Sequence, residues 1–245
     1  MSCTATDPVR VGKAVMGVER QVMIDSSRVF VDAFHVKARA NNKKMKKYTV
    51  QTACDKNGWI LGYSVYPGNH HDSRTFKSLY DKIKDIGIET LIADAGYKTP
   101  GIAKLLIDDG IRPLLPYRCP MTKEGFFKKY GYVYDEYYDC YICPNNQVLS
   151  FRTTNRNGYG GYKSCGTIFA GCPSLAQCTR SRNHVKVVTR HIWEPYMGMC
   201  EDIRHTLGMK DLYLLRKETI ERIFGKQRRI MDFGIPRCLE RPEWK

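Results

Sequence analysis

Apolar and polar positions change period along this chain. Arg28 to Val36 (RVFVDAFHV) is rich in β-branched and aromatic residues and predicts a strand. Tyr48 to Cys54 and Trp59 to Tyr66 predict two more, joined by Asp55-Lys56-Asn57-Gly58, whose Asn-Gly step marks a hairpin. Pro67-Gly68-Asn69 reads as a turn. The period then becomes helical, with Phe76, Leu79, Tyr80 and Ile83 on one face and Asp72 or Ser73 as the cap. Glu89 to Ala93 predicts a short buried strand ending at Asp94. Thr99 caps a second predicted helix, with Pro100 first, Ile102, Leu105 and Leu106 inside and Gly110 as the stop. Ile111 to Leu115 predicts a last strand before Pro116. From Arg118 to about Cys200 the chain is rich in Tyr, Gly, Asn and Cys, with only short strand-like runs such as Val185 to Thr189. Helical periodicity returns near Tyr196 and is strongest from Asp211 to Met231, until Gly234, Pro236 and Pro242 break it.

The order is three strands, helix, strand, helix, strand, insertion, helix. Antiparallel pairings followed by right-handed βαβ crossovers turn that order into a mixed five-stranded sheet with helices on its faces. The ribonuclease-H-like α/β fold has this order, with its first and fourth strands side by side. The expected organisation is an unassigned segment 1–25, a first part of the α/β domain at 26–117, a cysteine- and tyrosine-rich insertion at 118–200, a helix at 201–232 completing the domain, and a tail at 233–245.

Charge narrows the partner. Lys and Arg number 40 against 25 Asp and Glu, a net charge of +15. Such a surplus points to a polyanion, nucleic acid first. No apolar run approaches the ~18 residues of a membrane span. Met1 to Glu19 has no apolar export core, so no membrane partner and a cytoplasmic location are expected. Lys37 to Lys47 (KARANNKKMKK) carries six basic residues and no acid, and is expected to leave the first strand as a loop. Lys37, Arg39, Lys43 and Lys44, with Arg216, Lys217 and Arg228 on the last helix, are candidate DNA contacts. Lys and Arg grip phosphates without reading sequence.

Two acids fall where this topology makes a site. Asp32 lies within the first strand and Asp94 at the end of the fourth. If those strands are neighbours the carboxylates meet, and two such groups need protons or a cation between them. Oxygen-only ligation with open positions suits Mg²⁺ or Mn²⁺. On a helical wheel Tyr213, Ile220, Phe224 and Met231 form one stripe, and Lys217, Glu221 and Arg228 flank it. Glu221 is therefore the candidate third acid, with an ordinary pair to Lys217 as the alternative reading. His35 and His71 are expected in hydrogen-bonding roles.

The chain has ten cysteines, five of them between 140 and 178. Without an export signal a disulfide framework is the weaker reading. Cys140-x-x-Cys143, with Cys172 and Cys178 as a second pair, could close a four-thiolate structural zinc site; packed thiols are the alternative.

These stretches together resemble the DDE transposases of bacterial insertion sequences, the group with a cysteine-bearing insertion. The resemblance is carried by VFVDAFHVKARANNKK, GWILGYSVYPGNHHDS, LIADAGYKTPGIAKLL, YDCYICP, CPSLAQC, VVTRHIW and LYLLRKETIERIF, from about residue 28 to 231. It implies Asp32, Asp94 and Glu221 as the catalytic acids, and Tyr213, Arg216, Glu221 and Arg228 as a further motif. It also implies two Mg²⁺ or Mn²⁺ ions, with Asp32 bridging both, and hydrolysis then strand transfer of DNA phosphodiesters. The implied partners are insertion-sequence ends and target DNA, at the nucleoid of a bacterial cytoplasm, with a homodimer left open. Phe34 stands where the family has Thr, Arg228 where it has Lys, and Phe169 where its cysteine pattern has a further Cys, with Cys165 in reserve. Only 31 residues precede Asp32 and 24 follow Glu221, so a copy shortened at both ends is expected. The alternative is an inactive remnant that only binds DNA.

Overall fold

The computed structural model describes residues 24–41, 44–119 and 121–225, without the side chains of 37–46. These residues fall into two compact units. One ends at Pro116 and resumes at Gly198; the other is Tyr117–Met197.

The first unit is built on a five-stranded sheet in the order β3-β2-β1-β4-β5. Its strands are β1 (Arg28–Asn41), β2 (Lys44–Cys54), β3 (Ile60–Pro67), β4 (Thr90–Ala93) and β5 (Arg112–Leu114). The β1–β2 and β2–β3 pairs are antiparallel, and β4 is parallel to both β1 and β5. This is the ribonuclease-H-like arrangement that the element order predicts. The β2–β3 turn forms as the Asn-Gly step requires. Gly58 takes a φ of +88°, and the buried Asp55 carboxylate accepts from the Asn57 and Trp59 amides at 2.9 and 2.8 Å.

The basic run departs from expectation. Residues 37–41 and 44–47 are not a loop but the continuation of strands β1 and β2, with Lys37 facing Lys47 and Arg39 facing Met45. Val36-Lys37-Ala38-Arg39-Ala40 keeps a period of two, and the continuing backbone ladder outweighs its charge.

Helix α1 (Asp72–Ile83) packs Phe76, Leu79, Tyr80 and Ile83 against the sheet. At Gly62 in β3 an added Cβ would lie 2.8 Å from Ile83 Cγ2, so the close approach needs glycine. The cap of α1 is His71, whose Nδ1 accepts from the Ser73 amide at 3.3 Å, and Asp72 is already the first helical residue. Helix α2 (Pro100–Asp108) begins at the Thr99 cap and stops at Gly110, φ +75°.

The opposite face carries Phe30, Phe34, Cys54, Ile92 and Leu114, and is covered by Met209, Ile220 and Phe224. The long helix expected from Asp211 to Met231 is broken. Met209–Leu214 is helical, Leu215–Lys217 tightens into a 3-10 turn, and helix resumes only at 220. Thr219 stands just before helix resumes, and its hydroxyl and amide both donate to the Leu215 carbonyl, at 2.8 and 3.0 Å. Phe34 belongs to this core, its ring 4.7 Å from that of Phe224, so the Thr-to-Phe departure fills apolar space.

The second unit holds a five-stranded antiparallel sheet in the order β10-β9-β8-β7-β6, built from β6 (Val133–Asp135), β7 (Cys140–Ile142), β8 (Val148–Thr154), β9 (Tyr159–Ser164) and β10 (Val187–His191). Only β10 overlaps a run that the sequence pattern marks as strand-like. Tyr134 and Tyr162 donate to the Asp139 carboxylate at 2.9 and 2.6 Å, and Tyr132, Tyr141 and Tyr162 join the core. Tyr137 and Tyr138 remain exposed.

Candidate active site

The β1–β4 register decides where the acids fall. Val31 pairs with Ala93, so one residue further along the parallel strands Asp32 stands beside Asp94. Neighbouring strands run about 4.8 Å apart, and paired residues share a face. That face is the one carrying Phe30 and Ile92, beneath residues 209–224. Asp94 leaves the strand as the cap of a 3-10 turn (Ala95–Tyr97) and accepts from the Gly96 amide at 2.8 Å. Asp32 accepts from the Ala33 amide at 2.8 Å.

Glu221 follows Ile220, which is fully buried in the same core, and is itself exposed. Burial raises the Asp32 carboxyl above its ordinary value, and the charges of Asp94 and Glu221 add to the rise. Arg216 opposes it. The structure thus places the expected acids within electrostatic reach of one another.

Arg216 is the main correction. It is expected among the cations that face DNA, yet it is buried. Its Nη2 lies 2.8 Å from Asp32 Oδ2, and its Nη1 donates to the Tyr213 hydroxyl at 3.1 Å. Its Nε has no partner among the described residues. The 3-10 turn at Leu215–Lys217 is the cause, because it turns Arg216 off the helical wheel and toward the sheet.

Two residues at this edge escape the sequence reading. Asp72 is half-buried; burial first, then the charge of Asp94, push its carboxyl up, while His35 and His71 pull it down. Tyr97 is fully buried and its hydroxyl has no partner among the described residues. Their signal is the spacing itself, with Tyr97 three residues after Asp94 and Asp72 opening a helix that packs on the same sheet. His35 instead bonds Thr49 through Nδ1 at 3.0 Å.

Carboxylate oxygens are the right donors for Mg²⁺ or Mn²⁺. Among the described residues, however, no group of three or more His, Cys, Asp or Glu is gathered tightly enough to hold a metal ion. Arg216 supplies the positive charge beside Asp32.

A family profile described as the transposase DDE domain matches residues 22–165, more than half of the chain. The chain belongs to the transposase DDE-domain family. A second profile of the same description matches residues 142–239. Among solved structures, a cryo-EM structure of the piggyBac transposase synaptic complex with hairpin DNA is similar at 9% identity and a TM-score of 0.30, over 67% of this chain. The chain spans 38% of the length of that neighbour. No curated protein matches it.

In this DDE-family chain the expected zinc site is not assembled. Cys143 and Cys178 are buried, and Cys143, Cys172 and Cys178 each sit by a hydrogen-bonding neighbour. The Gln147 amide donates to Cys143 Sγ at 3.3 Å, Asn145 Nδ2 donates to Cys172 Sγ at 3.1 Å, and the Tyr132 hydroxyl lies 3.2 Å from Cys178 Sγ. Burial raises the Cys178 thiol, with Cys143 and Cys172 adding to the rise. Cys140 stands apart, with Asp135 and Asp139 as its charged neighbours. Cys140 opens β7, whereas Cys143 lies just past its end and begins the turn that leads to β8. Phe169 is buried in the core that holds Cys143 and Cys178. Cys165 is exposed and bonded to Thr167. Cys143 and Cys178 pack within the apolar core of this unit.

Of the expected DNA contacts, Lys217 is exposed. The side chains of Lys37, Arg39 and Lys44, and the whole of Lys43 and Arg228, lie outside the described residues.

Proposed function

We propose that this chain is the catalytic part of a transposase that cleaves and joins DNA phosphodiesters. The observation that carries the reading is the β1–β4 register, which sets Asp32 beside Asp94 with Glu221 within electrostatic reach. DDE transposases as a group use divalent metal ions. Asp32, Asp94 and Glu221 would hold them once drawn closer than they stand here, and bound ions would polarise the phosphodiester and stabilise the leaving oxygen. In the first step a water oxygen bonds to phosphorus, the P–O3′ bond breaks, and the 3′ oxygen leaves with a proton. In the second the oxygen of that 3′-OH bonds to a target phosphorus and loses its proton, the target P–O3′ bond breaks, and the target 3′ oxygen leaves with a proton. Asp32 must give up Arg216 before it can serve. Lys217 and the basic hairpin supply phosphate grip, and the net charge of +15 supports DNA as the partner.

The Arg216–Asp32 pair favours a second reading, DNA binding without turnover. Nicking of supercoiled plasmid in Mn²⁺ separates the two. Asp94→Asn should abolish nicking while leaving DNA affinity in EDTA unchanged or slightly higher. Replacing Lys43 and Lys44 by Ala should lower the salt slope of binding by about 2, at roughly 0.9 per phosphate contact. A parent protein that binds but never nicks supports the second reading.

A further inference from the structure

We propose that a cleft in the second unit takes up unpaired nucleotides of DNA, with bases on the Phe126 and Tyr159 rings and phosphates on Lys123 and Arg180. The inference rests on the reading that this chain acts on DNA.

The cleft measures about 510 Å³, within the ~300–1,000 Å³ of sites that hold one small ligand. It lies between the segment 121–132 and β10, the edge strand of its sheet. Four cations line it, Lys123, Lys129, Arg180 and Lys186, and no acid does. Two of them are already engaged: Lys129 pairs with Glu194 at 3.0 Å, and Lys186 donates to the Cys178 carbonyl at 2.9 Å. Lys123 and Arg180 have no ion-pair partner among the described residues. Like charges around one hollow repel, and an anion between them offsets that repulsion.

The rings make the anion a nucleotide rather than an acidic peptide. Phe126 is half-buried and Tyr159 exposed, and neither belongs to the apolar core of this unit. The Arg180 guanidinium stands over the Phe126 ring, 5.1 Å from its centroid. The Phe127 amide donates to the Gln177 carbonyl at 2.8 Å, which fixes the segment that carries Phe126. Tyr159 faces His191 across β9 and β10, and the His191 ring braces it nearly perpendicularly at 4.8 Å. Both rings are thus held in place before a ligand arrives. Aromatic faces flanked by cations suit a single strand, because every base has a π-face and every linkage a phosphate. A duplex keeps its bases stacked inside and offers this cleft none of them. Strand cleavage as proposed above makes free ends, at which a nucleotide can leave the stack.

The test is fluorescence anisotropy of the full chain in EDTA, with an oligothymidylate and with a duplex of the same length. Phe126→Ala should weaken single-strand binding about fivefold or more, the loss of one stacked base, and leave duplex binding unchanged. Phe126→Trp should keep the affinity. Arg180→Gln should lower the salt slope on the single strand by about 0.7, one phosphate contact. In the wild-type chain, iododeoxyuridine placed in the oligonucleotide should photocrosslink to Phe126 or Tyr159. Unchanged affinity in Phe126→Ala and an unchanged slope in Arg180→Gln, with binding still weakened by the Lys43 and Lys44 replacements, overturn the cleft and leave the DNA reading standing. Equal losses on duplex and single strand also overturn it, since charge alone gives them. A parent protein that binds neither DNA overturns both readings. If Phe126→Ala does not fold, the crosslink decides, and attachment only outside residues 121–189 overturns the inference.

Discussion

Replacing Arg216 by Met removes the cation beside Asp32 while keeping most of the side-chain volume. The pair is short, at 2.8 Å, and its side chains are only 6% and 16% exposed. At an effective dielectric near 20, Coulomb attraction at that distance is about 6 kcal/mol. Much of that is cancelled by the cost of drying both groups. Removing one partner is different, because it strands a carboxylate, and such losses run to about 3–5 kcal/mol. Asp32 keeps some solvent, so the low end, about 3 kcal/mol, is expected. For a chain of this size that corresponds to a fall in Tm of about 6–12 °C. The loss should depend on pH with a definite sign. Asp32 titrates above its ordinary value even with Arg216 present, and the variant raises it further. Below the unfolded value near 3.8 the carboxyl is protonated in both states and no charge is stranded. The penalty should therefore be small at pH 3, grow as pH rises through the two folded values, and level off near neutrality. Urea unfolding at pH 3, 5 and 7 measures it, and an Asp32→Asn background should remove most of the pH dependence. A penalty that is equal at all three pH values would refute the ion pair as its source.

Gly62→Ala should destabilise the first unit by about 1–3 kcal/mol in urea unfolding, because the new methyl meets Ile83 at 2.8 Å. Phe169→Ala should cost about 3–5 kcal/mol, since its ring is fully enclosed, and near-UV circular dichroism should lose the tyrosine signal of that core. Against the upward push of burial, Lys98 and Arg204 hold Glu201 below its ordinary value of 4.5. That stability is present above 4.5 and is lost as pH falls through the folded value, so Glu201→Gln should flatten the acid limb of a Tm-against-pH profile.

The first unit was legible because its signals are local and agree with one another. Asn57-Gly58, Thr99-Pro100 and Gly110 each carry the backbone geometry that their positions demand, and the order of elements leaves few topologies. Asp32 and Asp94 could be read as a pair because the topology makes their strands neighbours. The role of Arg216 could not, since a wheel drawn through Leu215–Lys217 assumes a continuous α-helix where a 3-10 turn stands. Charge misled at Lys37–Lys47, where a period of two persisted beneath six cations. The second unit was least legible. Its strands are short, four of the five having only three to six residues, and their pairing comes from contacts that no local pattern announces. Cys140 and Cys143 show the same limit, because the CxxC spacing does not say that one thiol opens a strand and the other begins the turn after it.

The sheet face that carries Asp32 is finished by residues synthesised long after it. Phe30 and Phe34 wait for Met209, Ile220 and Phe224, with the whole of Tyr117–Met197 translated in between. At about 5–20 residues per second the ribosome needs roughly 5–20 s to pass from Pro116 to Phe224. Throughout that interval the nascent chain exposes an unfinished apolar surface, and neither Arg216 nor Glu221 yet exists. The intervening meander pairs near neighbours in sequence and can form while the first sheet is still open. A polypeptide that halts before Phe224 therefore carries two aspartates without their partners, and its exposed sheet is a natural target for chaperones.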